Sequence, residues 1–148
     1  MKRLIKGAKI ITMGALGTLE KADILMENGK IAAIGENLEA SEAEVIDAKG
    51  LTAIPGIVDA HSHIGGFEIA TGAQDVNEMV KNVTAEVEVI DGLDPRSPSF
   101  KEALAAGVTC SAIAPGSGNV IGGVVCAVKS AGQGTIDSMC INRHVALK

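Results

Sequence analysis

Ala53-Ile54-Pro55-Gly56-Ile57-Val58-Asp59-Ala60-His61-Ser62-His63-Ile64-Gly65-Gly66 is the stretch that decides the fold. It opens as an apolar run and closes on two histidines one residue apart. Successive side chains of a strand alternate between faces, so residues two apart share a face. Asp59, His61 and His63 are therefore expected on one side, with Val58, Ala60 and Ile64 on the other. The pattern fits a buried strand whose end opens onto a site, with Gly65 and Gly66 giving the chain room to leave. Two imidazoles on one face can chelate a divalent cation, because neutral imidazole is a preferred ligand of zinc and its neighbours. They are two of only 3 histidines in the chain. The end of an apolar strand is also where an α/β barrel places its chemistry.

Upstream of this stretch, short apolar segments alternate with turns. Leu4-Ile5-Lys6, Lys9-Ile10-Ile11-Thr12 and Asp23-Ile24-Leu25-Met26-Glu27 read as strands. Asn28-Gly29 is a two-residue hairpin signal, and Lys30-Ile31-Ala32-Ala33-Ile34-Gly35 is the return strand. Val45-Ile46-Asp47-Ala48 and Leu51-Thr52-Ala53-Ile54 complete a segment, residues 1–53, that predicts a small β-sandwich. Its acidic residues, Glu36 and those from Glu39 to Glu44, belong to a solvated loop.

Downstream, residues 65–83 predict a long loop at the mouth of the site, in which Glu68, Gln74, Asp75 and Glu78 are candidates for substrate contact. Val83–Asp91 favours a helix. Ser97 or Ser99 can cap a helix running through Ala106, with Pro98 at its first position and Gly107 ending it. Val108–Ile113 is then a buried strand, and this helix–Gly–strand order is half of a repeating barrel unit. Ala114–Gly123 is rich in glycine and can bring backbone N–H groups to an anion. It has neither the Gly-Lys-Ser/Thr ending of a phosphate loop nor a dinucleotide motif in register. Val124–Lys129 and Ile136–Ile141 predict further strands, separated by a turn at Gly132–Thr135.

The quoted residues resemble a known family. Pro55-Gly56-Ile57-Val58-Asp59-Ala60-His61-Ser62-His63 is similar to the Pro-Gly-hydrophobic-hydrophobic-Asp-x-His-x-His signature of the amidohydrolase superfamily. Ile24–Gly35 and Val45–Gly50 resemble its N-terminal sandwich. Ala114–Gly123 is similar to the imidazolonepropionase-related members. The signature specifies the superfamily rather than a substrate. The resemblance implies an N-terminal β-sandwich segment, residues 1–53, followed by the first strands of an incomplete (β/α)8 barrel, residues 54–148. It implies a metal-dependent hydrolase of non-peptide C–N bonds that uses metal-activated water, with one or two divalent ions, zinc foremost. His61 and His63 are its expected metal ligands. Some members bridge two metals with a carbamylated lysine or a glutamate on a middle strand. Lys148 is the first candidate for that role by position, with Lys129 behind it. Asp59 is expected either to orient a ligand or to accept from a backbone donor near the barrel floor. His144 is a single late histidine with no partner motif.

Size and composition bound this reading. A barrel alone takes about 250 residues, so a chain of 148 predicts an N-terminal portion that is inactive alone. The alternative is a non-catalytic binding or assembly module derived from such an enzyme. A barrel cut after a few strands leaves an open edge, which predicts homo-oligomers or aggregation. With 47% hydrophobic but 1% aromatic residues, the core must be aliphatic. A net charge of −5 argues against nucleic acid, which requires a basic patch. No run approaches the roughly 18 apolar residues of a membrane span, and the N-terminus lacks the apolar centre of a signal peptide. The expected compartment is the cytoplasm. Cys110, Cys126 and Cys140, an odd set without a Cys-x-x-Cys pair, read as small thiols in a reducing environment.

Overall fold

The computed structural model describes residues 1–68, 72–132 and 134–148. The chain divides into two compact units, Met1–Pro55 and Gly56–Lys148.

The first unit contains β1 (Lys2–Ile11), β2 (Thr18–Glu27), β3 (Lys30–Gly35), β4 (Glu44–Asp47) and β5 (Thr52–Ala53). β1 and β2 are antiparallel, as are β2 and β3, while β4 and β5 lie parallel to β1. The β2–β3 turn is the one its sequence demands. Asn28 and Gly29 take positive φ, 51° and 76°, matching the right-handed twist of a two-residue hairpin. All five strands belong to one sheet, in the order β3-β2-β1-β4 with β5 beside β1. The expected second layer of a sandwich is not formed among the described residues. Alternation read from the sequence finds strands but does not say how many sheets they share. One face buries Ala8, Ile10, Ala22, Ile24 and Ala48, an aliphatic cluster as the composition requires. The buried Asp23 carboxylate ties the sheet to its loops, accepting from the N–H of Gly7 at 2.8 Å and of Leu38 at 3.0 Å.

The second unit begins with the histidine strand, β6 (Ile57–Ser62). A short hairpin, β7 (Phe67–Glu68) and β8 (Ala73–Gln74), follows, then a 3₁₀ turn, Val89–Gly92. The helix expected over Val83–Asp91 is reduced to that turn. Val83 and Glu88 instead make single bridges to Ile121 and Val124, so pairing with a neighbouring segment overrides local helical spacing. α1 (Pro98–Ala105) is capped by the Ser97 hydroxyl, which accepts from Ser99 N, and carries Pro98 in its first turn. It leads into β9 (Val108–Ile113), which pairs in parallel with β6. This is the βαβ crossover expected of a barrel.

β10 (Val124–Lys129) departs from that plan. It runs antiparallel to β9, and β11 (Cys140–Leu147) runs antiparallel to β10, in the sheet order β11-β10-β9-β6. A parallel neighbour needs a crossover, generally a helix. Ala114–Gly123 contains none, so the chain turns back. Ile136–Ile141 is not a strand throughout: Ile136–Met139 forms α2, and β11 starts at Cys140. Gln133, within the expected turn, lies outside the described residues. The core consists of Val89, Ile90, Leu93, Phe100, Ile113, Cys126, Val128 and Met139. No helix among the described residues is long and apolar enough to cross a membrane.

Candidate metal centre

The histidines stand where β6 leaves its sheet. The β6–β9 register shifts between Asp59 and Ser62, because three steps on β6 match two on β9. The chain bulges there, and bulges re-aim side chains beside active sites. Strict alternation, on which the sequence reading placed Asp59, His61 and His63 on one face, is therefore broken. The Asp59 carboxylate accepts from the N–H of His61 at 3.1 Å, so it holds the bulged backbone. This bond is of the backbone kind, one of the two roles expected for Asp59.

The rings of His61 and His63 lie 5.3 Å apart, edge to face at 84°. His63 Nδ1 is 2.8 Å from the carbonyl oxygen of Ala114, the residue after β9. A carbonyl only accepts, so Nδ1 carries the proton and Nε2 keeps its lone pair. A metal-ligating histidine is fixed in the same way, by donating its other N–H to a carbonyl or carboxylate. His61 Nε2 lies 2.9 Å from Lys148 Nζ. An ammonium only donates, which makes His61 Nε2 the acceptor and puts its proton on Nδ1. Both rings thus present Nε2 lone pairs, one of them capped by lysine. Among the described residues no cluster of three or more His, Cys, Asp or Glu forms that could hold a metal. The donor set fits a cation that takes two imidazoles and draws its remaining ligands from elsewhere.

The other candidates separate clearly. Lys129 ends β10, and because β10 is antiparallel that end lies beside Cys110, away from His63 and Ala114. His144 Nε2 donates to the Glu88 carboxylate at 2.9 Å and is not free to ligate. It belongs to an ionic cluster in which Arg143 donates to Glu88, Asp91 and Asp137. Hydrogen bonds from His144 and then Arg143 hold the Glu88 carboxyl below its ordinary pKa. Asp75 and Glu78 line a cavity of about 320 Å³, with Glu86, Glu88 and Asp91 also on its wall. The Gln74 side chain is exposed, and that of Glu68 lies outside the described residues.

The glycine-rich loop is not an anion cradle, because most of its N–H groups are committed. Gly116 N donates to Val76 O, Gly118 N to the Asn77 side chain, and Val120 N and Ile121 N to Asn82 O. The Asn119 amide donates to the carbonyls of Glu78 and Lys81, at 2.6 and 2.8 Å. These contacts stitch the loop after β9 to the loop after β6. Sequence reasoning missed them, and Asn119, a side chain with two donors between glycines, was the only available signal.

Comparison with known proteins follows the same lines. No family model matches the chain. It is 40% identical over 115 residues to the amidohydrolase tasK of Hapsidospora irregularis, covering 74% of this chain and 12% of that protein. It is 52% identical over 65 residues to a dihydroorotase of Elusimicrobium minutum, covering 43% of this chain and 15% of the relative. The crystal structure of an amidohydrolase from Thermotoga maritima superposes with a TM-score of 0.88 at 37% identity, over 97% of this chain and 37% of that one. The chain therefore spans well under half the length of each of these proteins.

Proposed function

The chain belongs to the amidohydrolase superfamily, and on that premise we propose that it is the metal-holding part of a hydrolase of non-peptide C–N bonds: amides, cyclic amides or amidines. The observation that carries this reading is the pair of Nε2 lone pairs on His61 and His63, with His63 fixed by the Ala114 carbonyl. Support also comes from the relatives, named as an amidohydrolase and a dihydroorotase, and a D-hydantoinase of Geobacillus stearothermophilus that is 47% identical over 64 residues. When bound, a divalent cation such as zinc supplies Lewis acidity, acidifying water and polarising a carbonyl at neutral pH. His61 and His63 would hold it, and Asp59, which accepts from His61 N–H, would keep the bulge that presents His61. Lys148 contributes after carbamylation. Its neutral amine adds to the carbon of CO2, one N–H proton leaves to solvent, and the new N–C bond carries a carboxylate. Until then its amine occupies the His61 lone pair that a cation needs. Two imidazoles alone make a weak site, so the chain by itself is inactive and binds zinc only at high concentration.

Calorimetric zinc titration of the chain beside a His61→Ala, His63→Ala double variant tests the metal assignment. Saturable uptake lost in the variant is expected, and equal binding by both proteins would sink the assignment. The reaction class is tested in a chimera in which this chain replaces the 37% of the Thermotoga maritima protein that it matches. Hydrolysis of dihydroorotate or hydantoin by a zinc-loaded chimera, abolished by the double variant, is the expected result.

A further inference from the structure

Lys148 follows the last residue of β11, yet its backbone is held on both sides. Its N–H donates to Gly123 O at 3.1 Å, and its carbonyl accepts from Gly122 N at 2.7 Å. Two consecutive residues ahead of β10 thus face a single residue past β11, the arrangement of a β-bulge. Each glycine is used differently. A Cβ on Gly123 would lie 2.3 Å from Val87 O, a backbone atom that cannot yield because Val124 N already donates to it at 2.7 Å. Gly123 is therefore pressed against the loop after β6. A Cβ on Gly122 would lie 3.3 Å from Lys148 O and 3.4 Å from both Lys148 Cβ and Cγ. Gly122 leaves open the space in which the lysine side chain begins its run. The far end of that run is the 2.9 Å contact with His61 Nε2.

We infer that Gly122 and Gly123 are positioning residues for Lys148: together they fix where its backbone sits and which way its side chain leaves, so that the amine meets His61. The inference adds to the proposed metal site a role for the glycine-rich loop, and it rests on that reading only where metal affinity is concerned. The contact itself is independent of any metal. The bulge explains why a glycine-rich loop with its N–H groups spent still belongs to the site. It anchors a ligating side chain instead of a substrate anion.

Gly122→Ala isolates the effect. The φ of Gly122 lies outside the left-handed region, so alanine brings no backbone strain, and the N–H that binds the Lys148 carbonyl is kept. The first readout is the ¹⁵N spectrum of the His61 ring in the metal-free chain at fixed pH. In wild type the Lys148 contact holds the proton on Nδ1. Lys148→Met should redistribute it between the two nitrogens, and Gly122→Ala, whose Cβ presses on Lys148 at 3.3–3.4 Å, should move the spectrum toward that of Lys148→Met. The second readout is zinc affinity with and without added bicarbonate. With bicarbonate, Gly122→Ala should weaken binding about tenfold or more; without it, where the amine only competes for the His61 lone pair, binding should not weaken, so the bicarbonate dependence is lost. A urea midpoint equal to wild type shows that the fold is intact. A Gly122→Ala ring spectrum identical to wild type overturns the inference. If Lys148→Met shifts the ring spectrum but leaves zinc affinity unchanged, Lys148 is not a ligand. The positioning role then stands while that part of the functional reading falls.

Discussion

Gly65→Ala should damage the second unit far more than an alanine at a comparable glycine of the same unit. Gly65 has φ 83°, and an added Cβ would sit 2.6 Å from two ring carbons of Phe100. Phe100 is 2% exposed and packs in the core with Ile90, Leu93 and Ile113, so its ring has nowhere to go. Two costs add. A left-handed backbone with a Cβ costs about 1–2 kcal/mol. Forcing an extra methyl into a packed core costs about 1–3 kcal/mol. The sum, about 2–5 kcal/mol, is a large share of the roughly 5–15 kcal/mol that holds a small domain together. Gly107 is the control: its φ is 88°, with no atom within 4 Å of an added Cβ, so only the first cost applies. The chain has no Trp or Tyr, so unfolding in urea is best followed by residue-resolved amide signals from β9 and β10. Phe100→Leu in the Gly65→Ala background should recover part of the loss, because it removes the overlapping ring. The effect should also reach the site, since Gly66 N and Phe67 N both donate to the His63 carbonyl. Equal destabilisation by Gly65→Ala and Gly107→Ala, within about 0.5 kcal/mol, would refute the overlap argument.

Four further outcomes are expected. Burial pushes the Cys126 thiol up to about 11, so it should resist iodoacetamide at pH 8 in the native chain and react after denaturation, as read by peptide mass spectrometry. The Glu88 carboxyl is held low by His144 and Arg143, so its contribution to stability is present above the unfolded carboxylate pKa of about 4.3 and is lost as pH falls through the lower folded value. Glu88→Gln should flatten the acid limb of a stability–pH curve, and an unchanged limb would contradict the cluster. Asn119→Ala removes two hydrogen bonds, each contributing about 0.5–1.5 kcal/mol, and should speed hydrogen exchange at Val120 and Ile121 while leaving β1 and β2 unaffected. Among the described residues, β6 and β11 each end the second sheet with one unpaired edge, and Val58 and Ile141 are exposed on them, so association that grows with concentration is expected. Light scattering that returns a monodisperse 15.0 kDa monomer across concentrations would remove that expectation.

What could be read from the sequence depended on how local its cause was. Asn28-Gly29 needs no distant partner to make its turn, and the hairpin formed as read. Ser97-Pro98 and Gly107 bracket α1 for equally local reasons. The histidine strand declared itself by composition. Readings failed where a distant segment decided the outcome. Val83–Asp91 has helical spacing, but Val83 and Glu88 are captured by Ile121 and Val124. Nothing within Val124–Lys129 says that it runs against β9; that follows from the absence of a crossover helix before it. The candidate site was half legible. The pairing of His61 with His63 follows from spacing, and the candidacy of Lys148 from family resemblance. The contact between Lys148 and His61 spans 87 positions, and only the fold shows it.

The same contact changes what the two histidines mean. Read as a dipeptide spacing, His61 and His63 are equivalent halves of a chelate. In the folded chain they differ in what holds them. His63 is held by a backbone carbonyl, which fixes the ring through Nδ1. His61 is presented by a bulge that Asp59 maintains, and its Nε2 is capped by an amine. On the proposed reading, His61 could hold a cation only where that amine gives way, whereas a carbamylated Lys148 would offer a carboxylate instead. On the proposed reading, carbamylation would turn a competitor for the His61 lone pair into an additional ligand. The diglycine proposed to set the backbone of Lys148 would serve either state, since its contacts are to the Lys148 backbone and not to the amine.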